Sequence, residues 1–590
     1  MLLNGKRPNI LLLLNDEERF PPPYENAEAR AWRLAHSTTR LEIASHGLEL
    51  RRHYTGSTAC APARATLFTG HYPSLHGVTQ TPGMAKSSFD PAMFWLDPGT
   101  VPTFGDYLRA GGYQTHYKGK WHISDADIMV PGSNNGLLTT DANGQPFPDK
   151  AALYETADRL DGYGFHGWIG PEPHGALQNN AGVMRDPGFA QQAARVIECL
   201  DERAATGEDD RPWFLVTSLV NPHDIVFAGP LLRAAGWFPE FYDLLTNYPE
   251  LLPHMEPPPT FQEALQSKPR VQQDYVLQYP RMYMPQPTNE VYWQFYYWLM
   301  AQADAHFGTV YRALKASRFF ADTIVVLTSD HGDVLGAHGG MQQKWHNAYE
   351  ECIHVSLIIS NPTLLKTPKT TDVLTSHLDV LPTVLGLADI NQEQARARLA
   401  VTHTEAQTLV GRDLSALVLA AAADTRAPVM PDEAIYFMTD DQVSLGLQQV
   451  NALQQRYRAV IQPNSVETVL VRLPDATGVP KLWKYSRYFD NPRFSAGVGG
   501  GPGGVGVGNT DAPYTAQATE RPVPDEWECY NLDDDPYEQR NLLSPLNPAP
   551  LPPRLAQQLQ ELLQQQRLAK RKLPQVNNRL PAPHELAPLR

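Results

Sequence analysis

The stretch Cys60-Ala61-Pro62-Ala63-Arg64 sets a thiol, a proline and a guanidinium two residues apart, just ahead of "ATLFTG". Proline is tolerated in a first helical turn, and a thiol there feels the positive end of the helix dipole. Alone, such a cysteine reads either as a small buried residue or as a reactive thiol. Neither use calls for the Pro and Arg spacing. Acidic residues close two apolar runs: Asp16 and Glu17 follow "NILLLLN", and Asp330 and His331 follow "TIVVLTS". Singly, such acids are helix caps or solvated loop groups. At the ends of neighbouring strands they can converge on one divalent cation, which takes oxygen ligands and polarises ester oxygens. The imidazole of His331 is softer than an amide oxygen and suits Mn, Fe or Zn better than Ca. A basic set accompanies the acids: Lys120 and His122 in "KGKWHI", His223 after "PWFLVTSLVNP", and Lys344 in "GGMQQKWHNAYEE". If "KGKWHI" is extended, Lys120 and His122 point the same way. Lone His and Lys residues are mostly surface or core groups, so these four gain meaning only as a set.

Such a set needs a scaffold that brings distant segments to one edge. "PNILLLLND" (8–16), "PWFLVTSLVNPHD" (212–224) and "DTIVVLTSDHGD" (322–333) are apolar runs that end in polar residues. Central strands of a parallel sheet read this way, and their ligand sites lie at the carboxyl ends. Helical patterns over 100–113, 187–204 and 292–314 separate them. The alternation predicts a doubly wound α/β domain over residues 1–430. Segment 226–290, rich in Pro, Tyr and Leu, reads as an insertion over the sheet. Residues 420–433 read as a linker. A smaller domain over 431–550 follows, with strands at 455–462 and 467–473 and a mobile glycine-rich loop at 495–509. Residues 551–590 read as an amphipathic helix and a Pro-rich tail. The helix could cover a neighbouring subunit, which implies a homo-oligomer. The aromatic run "YWQFYYW" (292–298) reads as core, with a leaving-group pocket as the alternative.

The formal net charge of -15 argues against a nucleic-acid partner, since no basic surface neutralises phosphates. It also repels anions at long range, so an anionic substrate needs a locally basic pocket. Four widely spaced cysteines, Cys60, Cys199, Cys352 and Cys529, give neither a disulfide framework nor a zinc pattern. The N-terminus carries no signal-peptide pattern and no membrane-length apolar run. The expectation is a cytoplasmic protein without membrane contact.

Cys-x-Pro-x-Arg followed by "TG" resembles the signature of the sulfatase family, within the alkaline phosphatase superfamily. Five further stretches resemble the family in order: "RPNILLLLNDEE", "TFGDYLRAGGYQTHYKGKWHI", "VNPHDI", "VLTSDHGD", and the closing "WECYNLDDDPYEQRNLL" (527–543). The resemblance implies an alkaline-phosphatase-like α/β fold: a doubly wound mixed sheet flanked by helices, with a smaller C-terminal α+β domain carrying a small antiparallel sheet. It implies that Cys60 is oxidised to Cα-formylglycine by a formylglycine-generating enzyme. It also implies one divalent metal, Ca2+ or Mn2+, held by Asp16, Glu17, the residue-60 side chain, Asp330 and His331. Glu17 departs from the second Asp of many arylsulfatases, and either ligates or only hydrogen-bonds behind the ligands. The Asp330-His331 pair resembles choline sulfatases and phosphonate monoester hydrolases.

The mechanism implied by resemblance is nucleophilic. A hydroxyl of the hydrated aldehyde attacks sulfur, Arg64 steadies the diol, and Lys120 takes charge on the sulfuryl oxygens. His223 and Lys344 serve the leaving oxygen, and His122 takes the last proton as sulfate leaves and the aldehyde returns. The implied substrate is a small sulfate ester. A phosphonate monoester or phosphate diester hydrolase with the same residues is the alternative, and a binding protein with unmodified Cys60 is a further one. Downstream, His354 and Ser356 stand where the family has Arg and Pro, which predicts changed packing. His338 and His346 are read as surface loop residues or as substrate contacts.

Overall fold

Ile10, Leu12 and Leu14 pack into one apolar cluster, while Leu11 and Leu13 pack into another. The same alternation splits Phe214 and Val216 from Trp213 and Leu215, and Ile324 and Val326 from Val325 and Leu327. A strand apolar on both faces must be covered on both faces, so these segments form the middle of three layers. The computed structural model describes residues 3 and 5–575, apart from 91, 134, 142–143, 174–176, 284–288, 426–433, 452, 476 and 491–522. The glycine-rich 495–509, much of the expected linker and the Pro-rich end lie outside the described residues.

The strands are β1 (Asn9–Asp16), β2 (Gly47–Tyr54), β3 (Gln114–Gly119), β4 (Trp213–Pro222), β5 (Thr323–Ser329), β6 (His354–Val355), β7 (Leu357–Ser360) and β8 (Lys369–Ser376). They form one mixed sheet in the order β3-β4-β1-β5-β7-β2-β6, with β8 also on β2. β3, β4, β1 and β5 are mutually parallel, and β7 runs against both β5 and β2. Helices α1 (Cys60–Thr69), α2 (Phe104–Ala110) and α5 (Val380–Leu387) cover one face through Phe68, Phe104 and Leu385. Helices α3 (Gly182–Thr206) and α4 (Glu290–Ala316) cover the other through Phe189, Ile197, Phe307 and Leu314.

The second sheet is antiparallel, in the order β12-β11-β10-β9, from β9 (Ile435–Thr439), β10 (Ser465–Pro474), β11 (Pro480–Phe489) and β12 (Glu526–Asn531). The strand expected at 455–462 does not form. That segment is irregular, and Asp274 holds it by accepting from Arg458 and from the Ile461 N–H at 2.9 Å. Helix α6 (Pro553–Lys570) lays Leu555, Leu559 and Leu563 on this chain's own sheet, beside Val469 and Trp483. Its apolar stripe therefore needs no neighbouring subunit. Segment 226–290 holds short helices and no strand among its described residues. The aromatic run of α4 is core: Tyr292, Phe295, Tyr296 and Trp298 pack with Trp237, Phe238 and Phe241. His354 belongs to β6 and stacks between Phe20 and Tyr54, with ring centroids 4.3 and 5.0 Å apart, so the departure from the family pattern is one of packing. Among the described residues no helix is long and apolar enough to cross a membrane.

Gly119 ends β3 with φ 103°, and a Cβ there would lie 1.8 Å from the Ser218 carbonyl oxygen. Gly112 has a similar φ of 91° but open space around it. Gly119→Ala is expected to cost on the order of 3 kcal/mol or to abolish folding, and Gly112→Ala about 1 kcal/mol, since only the first adds a backbone clash to left-handed strain. Denaturant unfolding of the two variants checks the contrast; equal costs would contradict it.

Candidate active site

Four adjacent parallel strands deliver the site from one edge. β1 ends in Asp16, β5 runs into Asp330 and His331, β3 runs into Lys120, and β4 runs into His223. The pairing Asn15↔Ser329 brings Asp16 and Asp330 side by side. Cys60 opens α1, every residue of which is buried. Donor atoms of Asp16, Cys60, Asp330 and His331 all lie within 4.8 Å of one another. Asp16, Glu17 and His223 form a second such group that shares Asp16. Of the five expected ligands, four therefore converge in one group, and Glu17 joins Asp16 in the other. Its carboxylate pairs with Lys344 Nζ at 2.6 Å, and the Tyr296 hydroxyl donates to its carbonyl at 2.7 Å.

Arg64 ties this set together. Its Nε donates to Asp330 Oδ2 at 2.8 Å and its Nη2 to Asp16 Oδ2 at 3.0 Å. Its Nη1 donates to the Lys120 carbonyl and to Ser218 Oγ, both at 2.8 Å. Four of the five guanidinium hydrogens are thus engaged by protein groups. Two of these bonds hold the two carboxylates, beside the residue-60 side chain whose diol the resemblance assigns to Arg64. Lys120 Nζ reaches Asp16 Oδ2 at 2.6 Å. The run to His122 is not extended, because β3 stops at Gly119 and His122 has φ 59°, so simple alternation does not orient that pair.

The charges are strongly shaped by burial. Burial alone would raise Asp16, but Lys120 and Arg64 outweigh it and hold its carboxyl well below the usual range. Asp330 is pushed up to about 7 by burial and by Asp16 beside it. Two adjacent carboxylates that resist ionising together favour a cation between them. His331 is held neutral by burial and by Lys344. Its Nδ1 lies 2.9 Å from the Gly332 carbonyl, which can only accept, so Nδ1 carries the hydrogen. The lone pair then sits on Nε2, which faces Cys60 Sγ at 3.2 Å. Neutral imidazole plus carboxylates is a donor set that fits a divalent metal. Burial and Asp16 push the Cys60 thiol up, so as a thiol it is a poor nucleophile here.

Sequence reasoning missed Ser218, Tyr296 and Asp333, all buried parts of this region. Asp333 closes the loop bearing Lys344 by accepting from the Leu335 and Gln343 N–H groups at 2.7 and 3.1 Å. It stands within the quoted "SDHGD", where the residue pattern was its only signal. His338 and His346 are both fully buried. His346 Nδ1 meets the Asn464 carbonyl at 3.0 Å. His338 stacks on Tyr349 at 3.5 Å, between Glu263 at 3.0 Å and Glu351 at 3.6 Å. Neither lies on the surface, so the surface-loop reading is corrected.

A three-layer α/β fold whose parallel strand ends deliver a buried carboxylate–imidazole set, ringed by Arg64, Lys120 and Lys344, defines a hydrolase of anionic esters with an alkaline-phosphatase-like architecture. The chain belongs to the sulfatase family: the family profile described as Sulfatase matches residues 8–390. It is a sulfuric ester hydrolase. A choline-sulfatase of Rhizobium meliloti (strain 1021) is 26% identical over 395 residues, covering 66% of this chain and 69% of the relative. A Delta 4,5-hexuronate-2-O-sulfatase of Bacteroides thetaiotaomicron is 26% identical over 372 residues, covering 62% and 65%. The fold is similar to that of a phosphonate monoester hydrolase of Agrobacterium radiobacter, with TM-score 0.54 and 17% identity over 95% of this chain and 96% of that one. It is also similar to a structure titled as a 2-O GAG sulfatase, with TM-score 0.57 and 18% identity over 96% and 93%.

His338 gives a pH prediction. Burial opposes its charged form, but Glu263 and Glu351 prevail and raise its pKa above the ordinary 6.5, against a smaller opposing effect of Lys268. A raised folded pKa means the contribution is fully present below about pH 6.5 and is lost as pH rises through the folded value. His338→Asn is therefore expected to cost on the order of 3 kcal/mol near pH 6 and clearly less near pH 9. Unfolding curves at both pH values test this; a cost independent of pH would contradict it.

Proposed function

We propose that this sulfuric ester hydrolase acts through a Cα-formylglycine made from Cys60 by a formylglycine-generating enzyme, on a small sulfate ester. The observation that carries the reading is the placement of the residue-60 side chain inside the Asp16, Asp330 and His331 donor set, at the first residue of a buried helix. Asp16, Asp330, His331 and the oxidised residue 60 would hold one Ca2+ or Mn2+, with Glu17 either a further ligand or a hydrogen-bonding group behind them. When bound, that cation supplies Lewis-acid polarisation of the ester and of the hydrated aldehyde. The hydrated aldehyde supplies an oxygen nucleophile and a route back to the carbonyl.

The chain's own groups do the rest. Backbone N–H groups at the start of α1 and the ammonium of Lys120 meet the sulfuryl oxygens. Arg64 keeps Asp16 and Asp330 apart and aligned. Burial would lower Lys344, but the carboxylates of Glu17 and Asp16 hold it well above its ordinary range. It therefore stays cationic and stabilises charge on the leaving oxygen. Burial and Lys120 hold His223 neutral, so its N–H is the one available to that oxygen. His122 takes the proton that accompanies sulfate release. A second reading, a phosphonate monoester or phosphate diester hydrolase, rests on the Asp330-His331 pair, because such monoanions share the shape and charge of a sulfate ester. A cytoplasmic location belongs to this proposal.

Two measurements test it. Cys60→Ala is expected to lower turnover of an aryl sulfate by about 10^3-fold or more, since it removes the nucleophile's precursor; near-normal turnover would refute the proposal. Aryl sulfate, phosphonate monoester and phosphodiester turnover are then compared on one preparation. A kcat/KM highest for the sulfate is expected, and a preference for phosphorus by orders of magnitude would select the second reading.

A further inference from the structure

Every backbone group in the turn that leaves β3 has to be held, because this turn carries two of the basic residues on a left-handed path. Gly119 and His122 both have positive φ, and for His122 this is a costly conformation that its surroundings must impose. From the site side, Arg64 Nη1 and the Tyr117 hydroxyl donate to the Lys120 carbonyl at 2.8 and 2.6 Å. From the opposite side, a loop some fifty residues downstream grips the rest. Trp168 Nε1 donates to the Gly119 carbonyl at 2.8 Å. Glu172 Oε1 accepts from both the Trp121 N–H at 3.0 Å and the His122 N–H at 2.8 Å.

Glu172 is a buried carboxylate, 4% exposed, whose other oxygen makes no hydrogen bond among the described residues. Its own backbone is fixed: its N–H donates to Asp127 Oδ1 at 2.7 Å, and its carbonyl accepts from Asn180 Nδ2 at 2.6 Å. Burying such a group is unfavourable for stability alone. One oxygen that gathers two successive N–H groups fixes the peptide plane before His122, and with it the direction of the imidazole. We propose that Glu172 is a positioning residue, which holds the Trp121–His122 backbone so that His122 stands ready for sulfate release. This rests on the role proposed for His122. The carboxyl is pushed up to about 8, by burial and then by Asp127, so at neutral pH an amide is a close substitute for it.

The test is a double-mutant cycle on folded enzyme of known formylglycine content, with an aryl sulfate as probe. Glu172→Leu keeps the volume and removes the acceptor, and is expected to lower kcat by about 10^2-fold with little change in KM. Glu172→Gln keeps the acceptor and is expected to stay within a few-fold of the parent. The Glu172→Leu, His122→Ala double variant is expected to turn over no more slowly than His122→Ala alone. If E172L does not fold, E172D, which withdraws the acceptor by one methylene, is read in the same way. Parent-like kcat in the variant lacking the acceptor, or losses that multiply in the double variant, would overturn the inference alone. A parent-like His122→Ala would overturn the role of His122 and this inference together.

Discussion

Two carboxylates, Asp16 and Asp330, sit fully buried at the ends of neighbouring parallel strands, and the guanidinium of Arg64 spans them. The rest of the site depends on that contact. Without a shared cation, two buried acids this close cannot both stay ionised. Lys120 and Arg64 hold the Asp16 carboxyl low, while burial and Asp16 push that of Asp330 up. This balance is suited to receiving a divalent ion. It also explains why arginine rather than lysine stands at position 64. Only a planar fork reaches both acids, a carbonyl and a serine hydroxyl at once.

The sheet supplies the precision. Side chains on four adjacent strand ends inherit their spacing from strand pairing, which the apolar layers on both faces hold rigid. Loops then add what strands cannot. α1 brings Cys60 up from the next segment, the loop closed by Asp333 brings Lys344, and Glu172 fixes the turn beyond Gly119. The second sheet lays one face on α6 and packs the other against the first domain, where Phe437, Leu470 and Tyr530 meet Tyr54, Tyr275 and Tyr349.

Much of this was legible in the residues. Apolar runs ending in Asp16, His223 and Asp330 announced buried parallel strands, because only strands covered on both faces lack alternation. The spacing from Cys60 to Arg64 placed thiol and guanidinium one helical turn apart, which the helix honours. What stayed hidden depends on contacts distant in sequence. Nothing around Glu172 or Ser218 marks them, since the site groups their side chains hold, His122 and Arg64, lie fifty or more residues away. Tyr296 was embedded in an aromatic run whose pattern says only that it is buried. The missing strand at 455–462 had the right residue types, but Asp274 drew its N–H and its arginine out of any ladder. His338 and His346 looked like surface groups because their burial comes from the insertion and the second sheet.

The central claim is that residue 60 is an oxidised side chain within a buried cation cage. The most direct measurement is the intact mass of the peptide containing residue 60 from active enzyme. Conversion of the thiol to the aldehyde predicts a loss of about 18 Da relative to the encoded cysteine, in a fraction of molecules that tracks specific activity. Fully active enzyme whose peptide carries the encoded mass would contradict the account.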